Sequence, residues 1–294
     1  MEFIYAGIDF IVDKNNDIFF IEINSSPGGL YRIKHLYDIS KPLDSLIEVI
    51  KKRVKNPVVC IVDSRKNYEI DKDEFDGRIK EMNKEFESHF CFFEDQVNKN
   101  FFVDKNGETV RPNVVITPFL SLKQSIKNAW IINPFEISFI SIDKFLSTKL
   151  VEKCTNINVP KTFLVRSKRD VRILLKQEPI LKNGFVIKPR FGLFGRKVMV
   201  FDKVSELEKV KLPRGEYVLQ ERISVNKING NFWDIRALVV DGKYCGGYKR
   251  VSSKPVVNIH AGGRREKLEN WVEEKIKEPS EEIVKVIEKY AKLI

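Results

Sequence analysis

Three oxygen-bearing side chains near the start of the chain, Asp9, Glu22 and Asn24, are spaced so that they can meet. Asp9 lies in the β-rich run FIYAGIDFIV (3–12). Glu22 and Asn24 lie in and just after IFFIEI (18–23), and the intervening DKNND has the composition of a turn. A hairpin pairing of the two runs gathers all three side chains, and Glu22 and Asn24, two apart in a strand, share one face. A small set of hard oxygen ligands, with positions left for phosphate oxygens and water, is what magnesium in a nucleotide site requires. The same pattern is compatible with the polar, solvent-facing side of an ordinary hairpin.

A second grouping lies beyond residue 180, in GFVIKPRFGLFGRKVMVF. Paired glycines, Gly192 and Gly195, let backbone approach a phosphate chain, and Lys188 at a strand end supplies a point charge. The run reads as strand, glycine loop, strand. It is not a P-loop, because Lys188 precedes the glycines instead of following them at a helix N-terminus. An ordinary glycine hairpin fits the same residues. A third grouping, from Gln220 to Asn258, sets Glu221, Asp234, Arg236 and Arg250 on successive strands with Asn258 in the next loop. Buried strands seldom carry so many charges without partners, so either a site or structural ion pairing accounts for them.

The elements that must position these groups follow from periodicity and turn signals. After Ser25-Ser26-Pro27-Gly28-Gly29 a helix is predicted from about Pro42 to Val54. VVCIVD then opens an α/β stretch with a charged helix near 72–88 and strands near 89–93, 113–117 and 130–132. A helix over 143–154, a strand, a helix over 168–177 and the glycine-bearing strand pair come next. The strands YVLQERI, DIRALVV and YCGGYKRV follow, then the loop HAGGRR and two helices near 264–277 and 280–293. These elements divide into 1–56, 57–142, 143–215 and 216–294.

Composition narrows the class. With 294 residues, 43% apolar and 32% charged, and no apolar stretch near 18 residues, the chain reads as a soluble globular protein with no membrane span and no signal peptide. Cys60, Cys91, Cys154 and Cys245 have none of the close spacings of a zinc or redox motif, which indicates a reducing, cytoplasmic setting with each cysteine a small buried residue. The net charge of +11 favours polyanionic partners, but its positives are interleaved with acids, which fits nucleotide phosphates, acidic substrates or a thermophilic surface better than nucleic acid.

The residues in GIDFIVDKNNDIFFIEINSSPG, VIKPRFGLFGRKV and WDIRALVVDGKYCGGYKR resemble the ATP-grasp superfamily, specifically its RimK-like ligases. The segment INPFEISFISIDKFLSTKLVEKCTNINVPKTF resembles the join between that family's leading domain and its nucleotide fold, so the resemblance spans essentially the whole chain. It implies an α/β ATP-grasp fold, with α+β lobes and a leading open-sheet domain, that binds ATP and magnesium, with manganese as an alternative. Lys188 would touch the nucleotide phosphates and Gly192 to Gly195 would form a lid over them. Glu221 would meet adenosine, flanked by Gln220 and Arg222 at the adenine edge. Asp234 matches a nucleotide-contacting Asp, Arg250 an Arg near the transferred phosphate, Asn258 a metal-proximal Asn, and Lys144 the Lys that opens the nucleotide fold. Asp9, Glu22 and Asn24 match the metal ligands. Arg236 and the loop from His260 to Arg265 are candidates for a substrate carboxylate, because guanidinium groups pair well with carboxylates, and His260 is read as a loop hydrogen-bonding residue, with general base as the alternative.

The implied activity is a carboxylate–amine ligase working through an acyl phosphate. Its substrates would be a small-molecule or peptide carboxylate and an amine such as glutamate, and the chain is compatible with a homo-oligomer. Rival readings are a small-molecule kinase on the same fold and a nucleotide-binding protein without turnover. One departure is large: in the family the GID-to-EIN segment follows the last helix, whereas here it comes first. Circular permutation, a site shared between two chains and a join of unrelated ends are the alternatives. Permutation predicts Met1 and Ile294 within about 15 Å.

Overall fold

The computed structural model describes residues 2–96, 100–192, 197–257 and 262–294. The chain opens on β1 (Tyr5–Val12) and β2 (Ile18–Asn24), the expected hairpin. Its turn is held by Asp13, whose Oδ1 accepts the N–H groups of Asn15 and Asp17, each at 2.8 Å, while Asn16 takes a left-handed φ of 65°. After a short α1 (Lys34–Tyr37) comes α2 (Lys41–Arg53), with a proline in its first turn and Leu43, Leu46, Ile47 and Ile50 buried. The next stretch contains β3 (Val58–Asp63), α3 (Arg65–Ile70), α4 (Lys72–Met82), β4 (Glu87–Phe92), β5 (Phe102–Val103), β6 (Thr109–Val110), β7 (Val114–Ile116), α5 (Leu120–Ser125) and β8 (Trp130–Ile132). Helices α6 (Phe135–Ile142) and α7 (Lys144–Cys154) lead to β9 (Thr162–Val165), α8 (Lys168–Gln177), β10 (Phe185–Pro189), β11 (Met199–Phe201) and β12 (Tyr217–Glu221). The chain ends in β13 (Phe232–Val240), β14 (Lys243–Ser252), β15 (Arg264–Glu266) and α9 (Asn270–Ala291).

Three larger sheets organise these elements, and β5 and β6 pair as a separate two-stranded ribbon. A parallel sheet runs β4-β3-β7-β8, an antiparallel sheet runs β11-β10-β12-β9, and a five-stranded antiparallel sheet runs β15-β14-β13-β1-β2. The N-terminal hairpin is therefore an integral part of the last sheet, with β1 an inner strand whose Tyr5 to Phe10 pair with Val240 to Ile235 of β13. One face of this sheet, carrying Ala6, Ile8, Phe10, Ile235 and Ala237, packs on α6, α7 and α9. On the other face, Tyr5, Val240 and Cys245 join α2 and the parallel sheet in a second core.

Two side chains fasten the hairpin to the parallel-sheet unit. Fully buried Asn133 accepts the N–H groups of Ile4 (2.7 Å) and Tyr5 (3.2 Å) on Oδ1, and its Nδ2 donates to the carbonyls of Tyr5 (2.8 Å) and Ser25 (2.7 Å). Glu74 of α4 accepts backbone N–H groups from Gly29, Tyr31 and Arg32 and pairs with Arg78, which also donates to the Pro27 carbonyl. The loop after β2 is thereby held against α4. Gly29 is required there: its φ is +95°, and a Cβ would lie 2.3 Å from the Tyr248 hydroxyl.

Three expectations are corrected. The two helices near 264–277 and 280–293 are one helix, α9, with Pro279 inside it, and Arg264–Glu266 forms a strand on the edge of β14. A proline inside a helix costs roughly 3 kcal/mol, but Val272, Ile276, Ile283, Val284 and Ile287 form one buried stripe running past it, and that packing keeps the axis continuous. Helix α4 stops at Met82 and not near 88, because Asn83 Oδ1 accepts both the N–H and the hydroxyl of Ser88 at 2.7 Å and turns the chain into β4. Cys60, Cys91 and Cys245 are buried, but Cys154, at the last position of α7, is exposed. Met1 lies outside the described residues, so its distance to Ile294 is not a property of this structure. The two ends of the described chain do meet, since the Phe3 N–H donates to Glu288 Oε1 of α9 at 2.7 Å.

Lys123 on α5 generates a pH prediction. It is 4% exposed, donates to the Asn133 carbonyl at 2.6 Å and forms no ion pair among the described residues; burial lowers its pKa to about 7. The unfolded value is about 10.4, so between these values the unfolded chain holds a proton that the folded chain lacks, and this group makes stability rise with pH across that window. Denaturant unfolding of wild type and Lys123→Met at pH 7 to 10 should show the wild type gaining on the variant by about 1.4 kcal/mol per pH unit. A pH-independent difference would mean that Lys123 is charged in the fold.

Candidate active site

A cavity of about 680 Å³ lies where the three sheets face one another. Its floor is the face of the five-stranded sheet opposite the α6–α7–α9 core. Alternation along β13 sends Trp233, Ile235 and Ala237 into that core, and Asp234 and Arg236 line the cavity. The hairpin needs a further device. Asp9 is paired with Glu22, but the next residue, Phe10, is paired with Phe20, so Ile21 is an extra residue in β2. Phe20 and Ile23 can therefore both enter the core while Glu22 and Asn24 line the cavity with Asp9. The result is a row across four strands, Glu22, Asp9, Arg236 and Tyr248, beside a second row of Asp234, Arg250 and Arg265.

These charges neutralise one another. Arg236 grips Asp9 with Nε and Nη2 at 2.8 and 2.7 Å, Arg250 grips Asp234 at 2.6 and 2.8 Å, and Arg250 also reaches Asp9 at 2.9 Å. Bidentate pairing of this kind makes such burial tolerable. Burial acts to raise the Glu22 pKa, but Lys144, Lys188, Arg236 and Arg250 overcome it and hold the carboxyl at about 2. For Asp234 burial wins over the pull of Arg250, and the pKa rises to about 6. The side-chain Nδ2 of Asn24 is buried without a hydrogen-bond partner.

The opposite wall is the small antiparallel sheet. Lys188 on β10 is 5% exposed and its Nζ lies 3.4 Å from the carbonyl of Ile21, so it bridges toward the bulge. Burial, only partly offset by Glu22, lowers its pKa to about 8. Lys144, at the start of α7, sits between Glu22 Oε2 (3.5 Å) and the Gly192 carbonyl (2.5 Å). Gln220 is fixed by Thr162 Oγ1 at 2.8 Å, Glu221 accepts the Lys161 N–H at 2.9 Å, and Arg222 pairs with Asp202; all three line the cavity. Gly192 reaches the site through its carbonyl on Lys144. Gly195, Asn258 and His260 lie outside the described residues. Of the loop arginines, Arg264 is exposed and pairs with Glu266, whereas Arg265 lines the cavity, stacks over the Tyr248 ring at 5.6 Å and keeps its Nε without a partner.

The third wall was missed by sequence reading. Asp63, Asn67, Arg78 and Thr117 of the parallel-sheet unit also line the cavity. A signal was available: Asp63 ends an apolar parallel strand, and ligands in open α/β sheets bind beyond the carboxyl ends of the strands.

The arrangement has known counterparts. Residues 141–289 match the model of the RimK-like ATP-grasp domain. Two curated relatives are named coenzyme γ-F420-2:α-L-glutamate ligase. That of Methanocaldococcus jannaschii is 38% identical over 141 residues, 47% of this chain and 47% of the relative. That of Methanococcus maripaludis is 33% identical over 144 residues, 47% and 48% of the two chains. This chain thus spans about half the length of the curated relatives it matches. The structure of VanG D-Ala:D-Ser ligase from Enterococcus faecalis superimposes with a TM-score of 0.55 over 79% of this chain and 83% of that one, at 14% identity, a likeness of fold. With more than half of its residues under one family model, and the nucleotide-type lobes facing one another across the cavity, the chain belongs to the RimK-like ATP-grasp family.

Proposed function

We propose that this protein is an ATP-dependent carboxylate–amine ligase that forms an amide through an acyl phosphate, with glutamate or a related amino acid as the amine. One observation carries this reading: Asp9, Glu22 and Asn24 lie on a single cavity face, with Lys188 and Lys144 across from them. The names of the curated relatives support the choice of amine.

The residues present fit a divalent ion. Glu22 is ionised at any working pH, no hydrogen bond holds the Asn24 Nδ2 and so none fixes which way its amide oxygen turns, and Asp9 retains lone pairs beyond those its arginines use. These three would hold magnesium, or manganese in its place, which when bound would neutralise nucleotide phosphates. Around it the cations of the chain would position ATP as substrate: Lys188 and Lys144 sit where phosphate charge would lie, Gln220, Glu221 and Arg222 offer polar groups for the nucleoside end, and Asp234 is a further nucleotide contact. Arg250, fixed by Asp234 and Asp9, presents positive charge to the transferred phosphoryl group without reorganising. Arg236 and Arg265 are the guanidinium groups for a substrate carboxylate. By resemblance to the family, Gly192 would help to cover the phosphates and exclude water during transfer, and Gly195 lies outside the described residues.

The rotated segment order is part of the same proposal. The contact of Phe3 with α9 and the place of β1 beside β13 support a circularly permuted ATP-grasp chain with units 1–56, 57–142, 143–215 and 216–294. Free cysteines support a cytoplasmic setting, and no helix among the described residues is long and apolar enough to cross a membrane. Acidic residues interleaved with the +11 charge argue against nucleic acid as a partner, and assembly as a homo-oligomer is compatible with this reading.

Mass spectrometry of reactions containing ATP, magnesium and a panel of amino acids and acidic acceptors should give ADP, phosphate and an amide. ADP with a stable phosphoester would instead make the protein a kinase. In the same assay Glu22→Gln should lower kcat by about 100-fold or more while the variant remains folded by circular dichroism; full turnover in that variant would remove Glu22 from the metal site. Joining residue 294 to residue 2 by a short flexible linker and opening new ends between residues 54 and 57 should yield a chain that binds ATP as the wild type does. Failure of that chain to fold would count against the permuted arrangement.

A further inference from the structure

Asp63 is the unusual carboxylate of the cavity. It closes β3 on the parallel-sheet wall and is 8% exposed. Its Oδ1 accepts the Ser64 N–H at 2.7 Å and Asn67 Nδ2 at 2.8 Å, which fixes the orientation of the group. Its Oδ2 has no hydrogen-bond donor, and no Lys, Arg or His nitrogen lies within 4.0 Å of either oxygen among the described residues. The neighbouring acids differ. Asp9 and Asp234 meet the arginines of their own sheet, Glu22 meets Lys144 of the opposite wall, Asp71 meets Arg32 at 2.6 Å, and Glu74 meets Arg78 at 2.7 Å. Arg78 is paired with Glu74 and bonded to the Pro27 carbonyl, and although its charge is felt at Asp63 it makes no ion pair there.

A buried carboxylate that is rigidly held, open to a cavity on one oxygen and without a counter-ion is destabilising unless a ligand completes it. The missing partner is a cation or a strong N–H donor. Burial raises the Asp63 pKa, as expected of a carboxylate still waiting for that partner. Its position within the cavity is also informative. The Tyr5 hydroxyl, which feels the charges of both Arg78 and Asp63, lies 3.4 Å from Ser26 Oγ, just beyond Glu22 and Asn24 where β2 leaves the sheet. Asp63 thus lines the same cavity as Tyr5, Ser26, Glu22 and Asn24, on the wall formed by the parallel sheet.

Resting on the ligase reading above, we propose that Asp63 is the specificity residue for the amine substrate and receives its free ammonium group through Oδ2. The amine substrate is then a primary amine that enters charged, such as an unblocked α-amino acid, and is docked on the parallel-sheet wall while ATP occupies the other two. An α-amino group capped by acylation offers no charge to Asp63 and is rejected.

Calorimetry on the full chain, with ADP and magnesium present, would compare the common L-amino acids, L-glutamate first, with their N-acetyl forms. At least one amino acid should bind ten times or more tightly than its N-acetyl form. Asp63→Asn should lose that discrimination while keeping its affinity for ADP, and Asp63→Glu should restore part of it. The proposal is overturned if no amino acid binds the wild type, if the acetylated forms bind as well, or if Asp63→Asn leaves discrimination intact or weakens ADP equally. Product analysis of the same proteins separates the two claims. Amide formation with an unchanged KM for the amine in Asp63→Asn rejects the Asp63 site and leaves the ligase standing, whereas Asp63-dependent binding without an amide product rejects the ligase and leaves the site.

Discussion

The burial of Asp9, Asp234, Arg236 and Arg250 on one face of a β-sheet constrains the rest of this molecule. Each of these groups would be costly alone at such depth, since an unpaired buried charge takes up a large share of a typical domain's stability margin. Together they are tolerable, because Arg236 and Arg250 share Asp9 and Arg250 closes on Asp234 with two further contacts. Asp9 comes from the first strand of the chain and the other three from strands more than two hundred residues later. The sheet cannot close its charge balance until β1 lies against β13. Removing one partner of a buried pair typically costs about 3–5 kcal/mol, so the charge network that serves the proposed chemistry also fixes the topology.

The second constraint is geometric. Without the bulge at Ile21, strict alternation through residues 20, 21 and 22 would send Glu22 and Phe20 to the same face, and either the carboxylate would enter the apolar core or the phenyl ring would enter the cavity. The bulge lets both go where their chemistry requires. Asn133 and Glu74 then hold the hairpin and the loop after it against the parallel-sheet unit, so the walls of the cavity keep their spacing. Lys144 and Lys188 meet the floor from the small sheet and α7. Across floor and wall the three carboxylates Asp9, Glu22 and Asp234 face the four cations Arg236, Arg250, Lys144 and Lys188, and the positive surplus suits a polyphosphate.

Much of this was legible in the residues. The turn chemistry of DKNND gave the hairpin, the apolar run VVCIVD gave a buried parallel strand, and the order of Lys188 before Gly192 excluded a P-loop. What failed did so for identifiable reasons. Pro279 is a local breaker, and only the buried stripe of α9 shows that packing outweighs it. Arg264–Glu266 has no strand pattern of its own and becomes a strand because the outer edge of β14 offers it hydrogen bonds. Asp63 looks like any acidic residue at the end of a strand, and its lack of a counter-ion becomes visible only when every nearby cation has been placed.

The sequence by itself determined which side chains could bind a metal, which could bind phosphate, and that short strands and a glycine loop carry them, because periodicity and turn propensity act over a few residues. Tertiary structure alone decided that the first hairpin completes the last sheet with β1 inside it, that Ile21 is the residue out of register, that Arg236 and Arg250 are committed to Asp9, and that Asp63 has no ion-pair partner among the described residues. Those outcomes depend on which groups compete for the same partner across hundreds of residues. Pairing over that range is settled by burial and charge balance in the assembled fold, and no local pattern in the chain records it.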